Sequence, residues 1–261
     1  MALAEAMQLK PANSKVHVVL DRPFLLVERY DRMMDAQGHR QRLHQEDFCQ
    51  ALGVAPEMKY QNEGGPDLAQ CFGLVRRVTR PSAPQVLRLF DYVIFNALIG
   101  NHDAHAKNFS LLYLHNETGK HNDTGKASVL APFYDTLSTA VYPTLTPKMA
   151  MKIGSKYKFS EVQARHWDQF AESVGLAKAQ AKRRILELAK SLPPTARELG
   201  SAPGLGFTGS AVVERIIALI EQRCALTIRR LTDPAAENEV AAEPINRPEQ
   251  ATPKNPRDRK D

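Results

Sequence analysis

Asn101-His102-Asp103-Ala104-His105-Ala106-Lys107-Asn108, followed by Pro132-Phe133-Tyr134-Asp135, places an aspartate, an asparagine five positions later and a second aspartate after an apolar run. That is the order in which phosphoryl transfer uses these groups. A phosphoryl group leaving ATP spreads negative charge over its oxygens, so a protein must hold Mg²⁺ against the phosphates and aim a hydroxyl in line. In that scheme Asp103 accepts the proton of the attacking hydroxyl, while Asn108 and Asp135 supply hard oxygen ligands to the metal. An isolated Asp-x4-Asn pair more often caps a helix or closes a turn, so the surroundings decide between the two readings.

Residues 85–100, QVLRLFDYVIFNALIG, are apolar on most of their circumference and predict a buried helix closed by Gly100. The motif then sits in the loop just after a core helix. Residues 109–114 and 128–131 predict two short strands joined by the polar stretch 116–126. Such a hairpin returns Asp135 to the neighbourhood of Asn108.

Four blocks, LLVERYDR at 25–32, HQEDFCQALGVAPEMKYQNEGGP at 44–66, LIGNHDAHAKNFSLLY at 98–113 and LAPFYDTLST at 130–139, extend this pattern over most of the first 155 residues. Their wording and order resemble the HipA family of serine/threonine kinases, the toxin halves of bacterial toxin-antitoxin pairs. The resemblance implies an α+β, protein kinase-like fold with a truncated N-lobe and a helical C-lobe. It implies ATP and Mg²⁺ as cofactors, and transfer of the γ-phosphoryl to a protein serine or threonine, for example on an aminoacyl-tRNA synthetase. Carried over residue by residue, it makes Asp103 the catalytic base and puts His105, Lys107 and Asn108 around the phosphates and metal. Asp135 becomes the second metal ligand with Tyr134 beside the nucleotide, and Glu28, Arg29 and Tyr30 form the hinge whose backbone meets the adenine. A small helix-turn-helix antitoxin is the implied partner, with DNA reached only through it. The segment 149–154, MAMKIG, resembles a family block lining the nucleotide side of the lobe; by itself it reads as an apolar strand.

Residues 24–30 predict an apolar strand ending in charged residues, which suits a hinge. Kinases of this type place a phosphate-covering loop and an ATP-binding lysine on strands before the hinge. The 27 residues ahead of Glu28 hold no glycine and only Lys10 and Lys15, and predict a helix over 2–9, a turn and a strand over 15–20. The expected organisation is therefore an N-lobe remnant over 1–34, a HipA-like kinase lobe over 35–232 and a disordered tail over 233–261, where prolines are frequent and large apolar groups scarce. Two alternatives stay open. One is a catalytically incompetent fragment or split-kinase subunit that binds a partner; the other is a small-molecule phosphotransferase using the same Asp-x4-Asn chemistry.

Other glycine patterns carry less. Residues 119–128 approach a Walker A loop, but five residues separate the glycines and Ala127 stands where Ser or Thr belongs. Gly204-Leu205-Gly206-Phe207-Thr208-Gly209 matches G-x-G-x-x-G without a strand before it, and Thr208 to Ser210 read better as a cap for the next helix. His102 and His105 lack a second ligand pair at zinc spacing, and Cys49, Cys71 and Cys224 are scattered. No Gly-x-Ser-x-Gly elbow is present.

Three unpatterned cysteines and no apolar run of 18 residues point to a reducing cytoplasm without membrane insertion. The formal charge of +6 admits nucleic acid without demanding it. The densest basic run, 178–184, falls on a predicted helix over 178–192, for which a solvated face is the ordinary reading. Helices are also predicted over 160–174 and 210–231.

Overall fold

The computed structural model describes residues 1–35, 37–114, 128–233 and 235. The polar connection 116–126, the Walker-like stretch and nearly all of the predicted tail lie outside them.

The chain opens with α1 (Ala2–Ala6), then a two-stranded antiparallel hairpin of β1 (Ser14–Val19) and β2 (Arg22–Val27). A second hairpin pairs β3 (Arg32–Met34) with β4 (Arg40–Arg42). β5 (His44–Asp47) leads directly into α2 (Phe48–Ala51), whose first turn is closed by a reciprocal capping box between Asp47 and Gln50. α3 (Leu68–Val78) begins with the same device, Asp67 and Gln70.

α4 (Ser82–Ile99) is the axis of the molecule. From Tyr92 to Ile99 every side chain is buried, with Phe90, Phe95 and Leu98 at the centre. β6 (Ser110–Tyr113) and β7 (Ser128–Leu130) follow it and pair antiparallel with each other and with β5, giving a three-stranded sheet with β6 in the middle. β8 (Lys148–Ile153) and β9 (Lys156–Lys158) form a further hairpin. The helical half is completed by α5 (Ala164–Ser173), α6 (Lys178–Ser201) and α7 (Ala211–Thr232). One core joins them: Phe72, Phe90, Phe170, Ile185, Leu192 and Ile220 belong to a single buried cluster.

The expected strands and helices are found in the expected order. α6 runs past the predicted end at 192, through Pro193 and Pro194, to Ser201. Buried Leu192 and Ala196 hold it in the core across the two missing backbone donors. Much of the basic run on α6 is consumed within the chain: Arg184 makes a bidentate pair with Asp91 at 2.7 and 2.9 Å, Lys178 meets Glu172 at 2.6 Å and Arg183 meets Glu187 at 3.9 Å. Ser210 is the N-cap residue of α7, but its side chain makes no capping hydrogen bond.

The N-terminal hairpin contrasts with this core. β2 is exposed along its whole length, and Val18, Leu25 and Leu26 are about half exposed. Its pairing continues one step beyond the strands, where the Glu28 N–H donates to the Asn13 carbonyl at 2.8 Å.

Arg88 of α4 stitches the sheet to the core helix, donating to the Leu130 carbonyl at 2.9 Å and to the Tyr92 hydroxyl at 2.7 Å. Tyr92 stacks on Phe133 with centroids 3.9 Å apart. Gly100 then stops the helix with φ +77°, and a Cβ there would lie 2.7 Å from Leu219 and 2.8 Å from Ala140. Gly100→Ala is expected to cost about 1 to 3 kcal/mol, through left-handed strain and overpacking. Urea unfolding measures this, and a loss under about 0.5 kcal/mol would mean that the chain can leave α4 by another route.

Candidate active site

Because α4 ends inside the core, the loop after it starts buried. Asn101 donates through Nδ2 to Asn96 Oδ1 and to the Asp135 carbonyl, both at 3.0 Å, and its Oδ1 accepts the Asp103 N–H at 3.2 Å. His102 is fixed by its backbone: its N–H donates to Thr139 Oγ1 at 2.8 Å and its carbonyl accepts from the Ala150 N–H at 2.8 Å. Asp103 is thereby lifted to the surface, its side chain 43% exposed. Oδ1 accepts the Tyr60 hydroxyl at 2.7 Å, and Oδ2 has no hydrogen-bond partner among the described residues.

His105 lies beneath Asp103, 6% exposed, with Nε2 at 3.9 Å from Asp103 Oδ1 and the ring edge-on to Tyr60. Burial holds this imidazole below its ordinary pKa, against the pull of Asp103. It is thus neutral at pH 7. Lys107 is half-buried, and its carbonyl accepts the Tyr134 hydroxyl at 2.8 Å. Tyr134 is held again by Ser110 Oγ at 2.6 Å, and burial raises its phenol pKa.

Asn108 and Asp135, 27 positions apart in the chain, meet: Asn108 Nδ2 donates to Asp135 Oδ2. Asp135 adopts φ +55°, a left-handed backbone that a non-glycine residue holds only under constraint. Asn108 is 4% exposed, and its Oδ1 is buried without a hydrogen-bond partner. A buried carbonyl oxygen beside a carboxylate suits a hard divalent cation. Among the described residues no cluster of three or more His, Cys, Asp or Glu could hold a metal, so this pair would need other oxygens to complete a coordination sphere.

An open cleft of about 1140 Å³ runs from this pair to the N-terminal hairpin, lined by Glu28, Arg29, Tyr30, Tyr134 and Asp135. The Tyr30 and Tyr134 rings are near parallel with centroids 6.4 Å apart. Arg29 is tied to Asp31 through Nε at 2.8 Å and Nη2 at 2.6 Å. The Tyr30 N–H has no backbone partner among the described residues. Gly204, Leu205 and Phe207 of the G-x-G-x-x-G stretch reach the same cleft.

The residues singled out in the sequence therefore fall into two groups. Glu28, Arg29, Tyr30, Tyr134 and Asp135 share the cleft, Asn108 joins it through Asp135, and Asp103 and His105 stand at the Tyr60 side of the loop. Segment 149–154 packs under the loop, where Met149, Ala150 and Met151 face Asn101 across a small cavity, rather than lining the cleft. Sequence reading passed over Tyr60 and Asn101. Asn101 could have been suspected as an amide directly after a helix-ending glycine; nothing periodic marks Tyr60.

Residues 1–196 match the HipA-like C-terminal domain, and the chain belongs to that family. Among curated proteins it is 49% identical over 191 residues to Y4mE of Sinorhizobium fredii, which carries a kinase name, covering 73% of this chain and 43% of that protein. It is 25% identical to the serine/threonine-protein kinase toxin HipA of Shewanella oneidensis, covering 76% of this chain and 46% of that one. In fold it matches a chain of the Shewanella oneidensis toxin-antitoxin complex of HipA, HipB and operator DNA, with TM-score 0.76 and 23% identity over 88% of this chain and 55% of the other. The chain spans less than half the length of the curated relatives it matches. The α+β kinase-like fold expected from the sequence is thus the fold observed.

Asn101→Ala removes three hydrogen bonds at once and strands the Asn96 amide. A loss of at least about 2 kcal/mol in urea unfolding is expected. An unchanged midpoint would mean that other contacts hold the loop.

Proposed function

We propose that this chain carries the catalytic and metal-binding half of a HipA-like serine/threonine protein kinase. The observation that carries the reading is the meeting of Asn108 and Asp135, with a half-exposed Asp103 on the same loop. Asp103 Oδ2 accepts the proton of the incoming hydroxyl, and its position on an open face favours a protein acceptor over a small molecule in a deep pocket. Asn108 Oδ1 and Asp135 would hold Mg²⁺, whose chemistry when bound would be to neutralise phosphate charge. Tyr134 and the hinge residues Glu28, Arg29 and Tyr30 flank the nucleotide, while His105 and Lys107 support the phosphate end. The likeness to HipA supports a toxin role and a HipB-like helix-turn-helix antitoxin as partner, with DNA contacted through that partner; the acceptor proposed is a protein serine or threonine, for example on an aminoacyl-tRNA synthetase. Among the described residues no helix is long and apolar enough to cross a membrane.

A second reading has its own observation. The exposed apolar hairpin β1–β2 asks for a covering surface, as a split-kinase subunit or partner-binding module would.

With the hairpin covered, Asp103→Asn should slow phosphoryl transfer by about 10² to 10⁴ and leave ATP binding nearly unchanged. Asp135→Ala should abolish Mg²⁺-dependent nucleotide binding in calorimetric titration. Equal transfer rates in wild type and Asp103→Asn would remove the base assignment. The 261 residues alone should bind Mg²⁺-ATP at least about 100-fold more weakly than with the complementary lobe added, since several charge-assisted hydrogen bonds to phosphate are then missing.

A further inference from the structure

Tyr60 is not among the groups that the phosphoryl-transfer scheme requires, yet its hydroxyl ends on Asp103 Oδ1 at 2.7 Å. The loop that delivers it is tightly built. Its carbonyl accepts the N–H groups of Glu63 at 3.0 Å and Gly65 at 2.9 Å. Gly65 is packed so closely that a Cβ would lie 2.1 Å from the Met58 carbonyl oxygen and 2.8 Å from that of Tyr60. Gln61, the next residue, accepts the Lys152 N–H at 2.7 Å and so ties the loop to β8. The ring is wedged between the edge of His105, 5.2 Å away, and the Lys59 ammonium, 4.9 Å from its centroid. Residues 43 positions apart in sequence are thus brought together by a loop with little freedom to place the phenol elsewhere.

A half-exposed aspartate on a short side chain turns about χ2 unless something holds one oxygen. A base must offer a lone pair in a fixed direction, because misplacement of about 1 Å at a reacting centre costs orders of magnitude in rate. We infer that Tyr60 is a positioning residue for phosphoryl transfer: by holding Oδ1 of Asp103 it leaves Oδ2 as the oxygen aimed at the acceptor hydroxyl. The inference rests on the reading of Asp103 as base. Burial, with the neighbouring carboxylate second, pushes the Tyr60 phenol up to about 12, so it donates across the working pH range. Tyr60 is not part of the cleft lining, and its hydroxyl acts on Asp103.

The test is Tyr60→Phe, made in wild-type and Asp103→Asn backgrounds of the full chain. Single-turnover transfer with its complementary lobe is expected to fall about tenfold for Tyr60→Phe with KM for ATP unchanged, and the second background should show no further loss. The melting temperature should fall by a few degrees in the wild-type background and by clearly less beside Asp103→Asn; this arm needs no turnover. A wild-type rate for Tyr60→Phe while Asp103→Asn is inactive would overturn the inference and leave the base assignment standing. So would a rise in KM that accounts for the whole effect, or a melting loss equal in both backgrounds. A wild-type rate for Asp103→Asn overturns the base assignment itself, and the inference with it.

Discussion

The site depends on one buried amide. Asn101 carries two N–H donors and one acceptor that matter here, and all are used: Nδ2 on Asn96 and on the Asp135 carbonyl, Oδ1 on the Asp103 N–H. An amide with every group satisfied is locked in orientation, since a flip would set donor against donor. The end of α4, the loop directly after it that lifts Asp103, and the distant turn that carries Asp135 are thereby put in register. Gly100 makes the arrangement possible, because only a left-handed residue lets the chain leave a fully buried helix without unwinding its last turn. The rigidity of the core is in this way passed to the chemistry through hydrogen bonds rather than through packing alone.

Two features near this hub run against stability. A buried amide oxygen without a partner costs about 1 to 3 kcal/mol, and a non-glycine residue in the left-handed region about 1 kcal/mol or more. Both costs fall on the same pair, Asn108 Oδ1 and the Asp135 backbone. Stabilising contacts surround them: Asn101 on the Asp135 carbonyl, Ser110 and the Lys107 carbonyl on Tyr134, Phe133 stacked on Tyr92. Unfavourable groups over-determined by their surroundings are what the proposed cation site rests on. Within one short loop Asp103 is turned outward onto Tyr60 and Asn108 inward onto Asp135, so on the proposed roles proton acceptance and charge neutralisation would fall at its opposite ends.

The sequence made the helical half legible because apolar periodicity and a terminal glycine are local signals. α4, α5 and α7 lie close to where spacing alone put them, and β6 with β7 returns Asp135 to Asn108 as expected. What escaped is non-local. The path of α6 through Pro193 and Pro194 is decided by burial against its neighbours, which no window of sequence contains. Tyr60 escaped for a similar reason: its role is set by a glycine-closed loop whose contact with Asp103 exists only after folding. The basic run on α6, whose ordinary reading is a solvated face, has partners on other elements, Asp91 and Glu172 above all, that no window of its own sequence contains.

The N-terminal hairpin is where local signals and the folded environment disagree. β1 and β2 were predicted as strands from their apolar content, and strands they are, but apolar content ordinarily marks burial, whereas Val18, Leu25 and Leu26 face solvent. A lone two-stranded ribbon is marginal in water, because pairing one edge does not offset the backbone entropy it fixes. Here the ribbon is closed at its base by Asn13 and Glu28, and Glu28 with the following Arg29, Tyr30 and Asp31 lines the cleft. The proposed hinge residues Glu28, Arg29 and Tyr30 continue directly from β2. Whatever surface covers β1 and β2 would order Glu28, Arg29 and Tyr30 at the same time, so occupancy of the cleft and covering of the ribbon are thermodynamically linked: each makes the other cheaper by sharing one ordering cost.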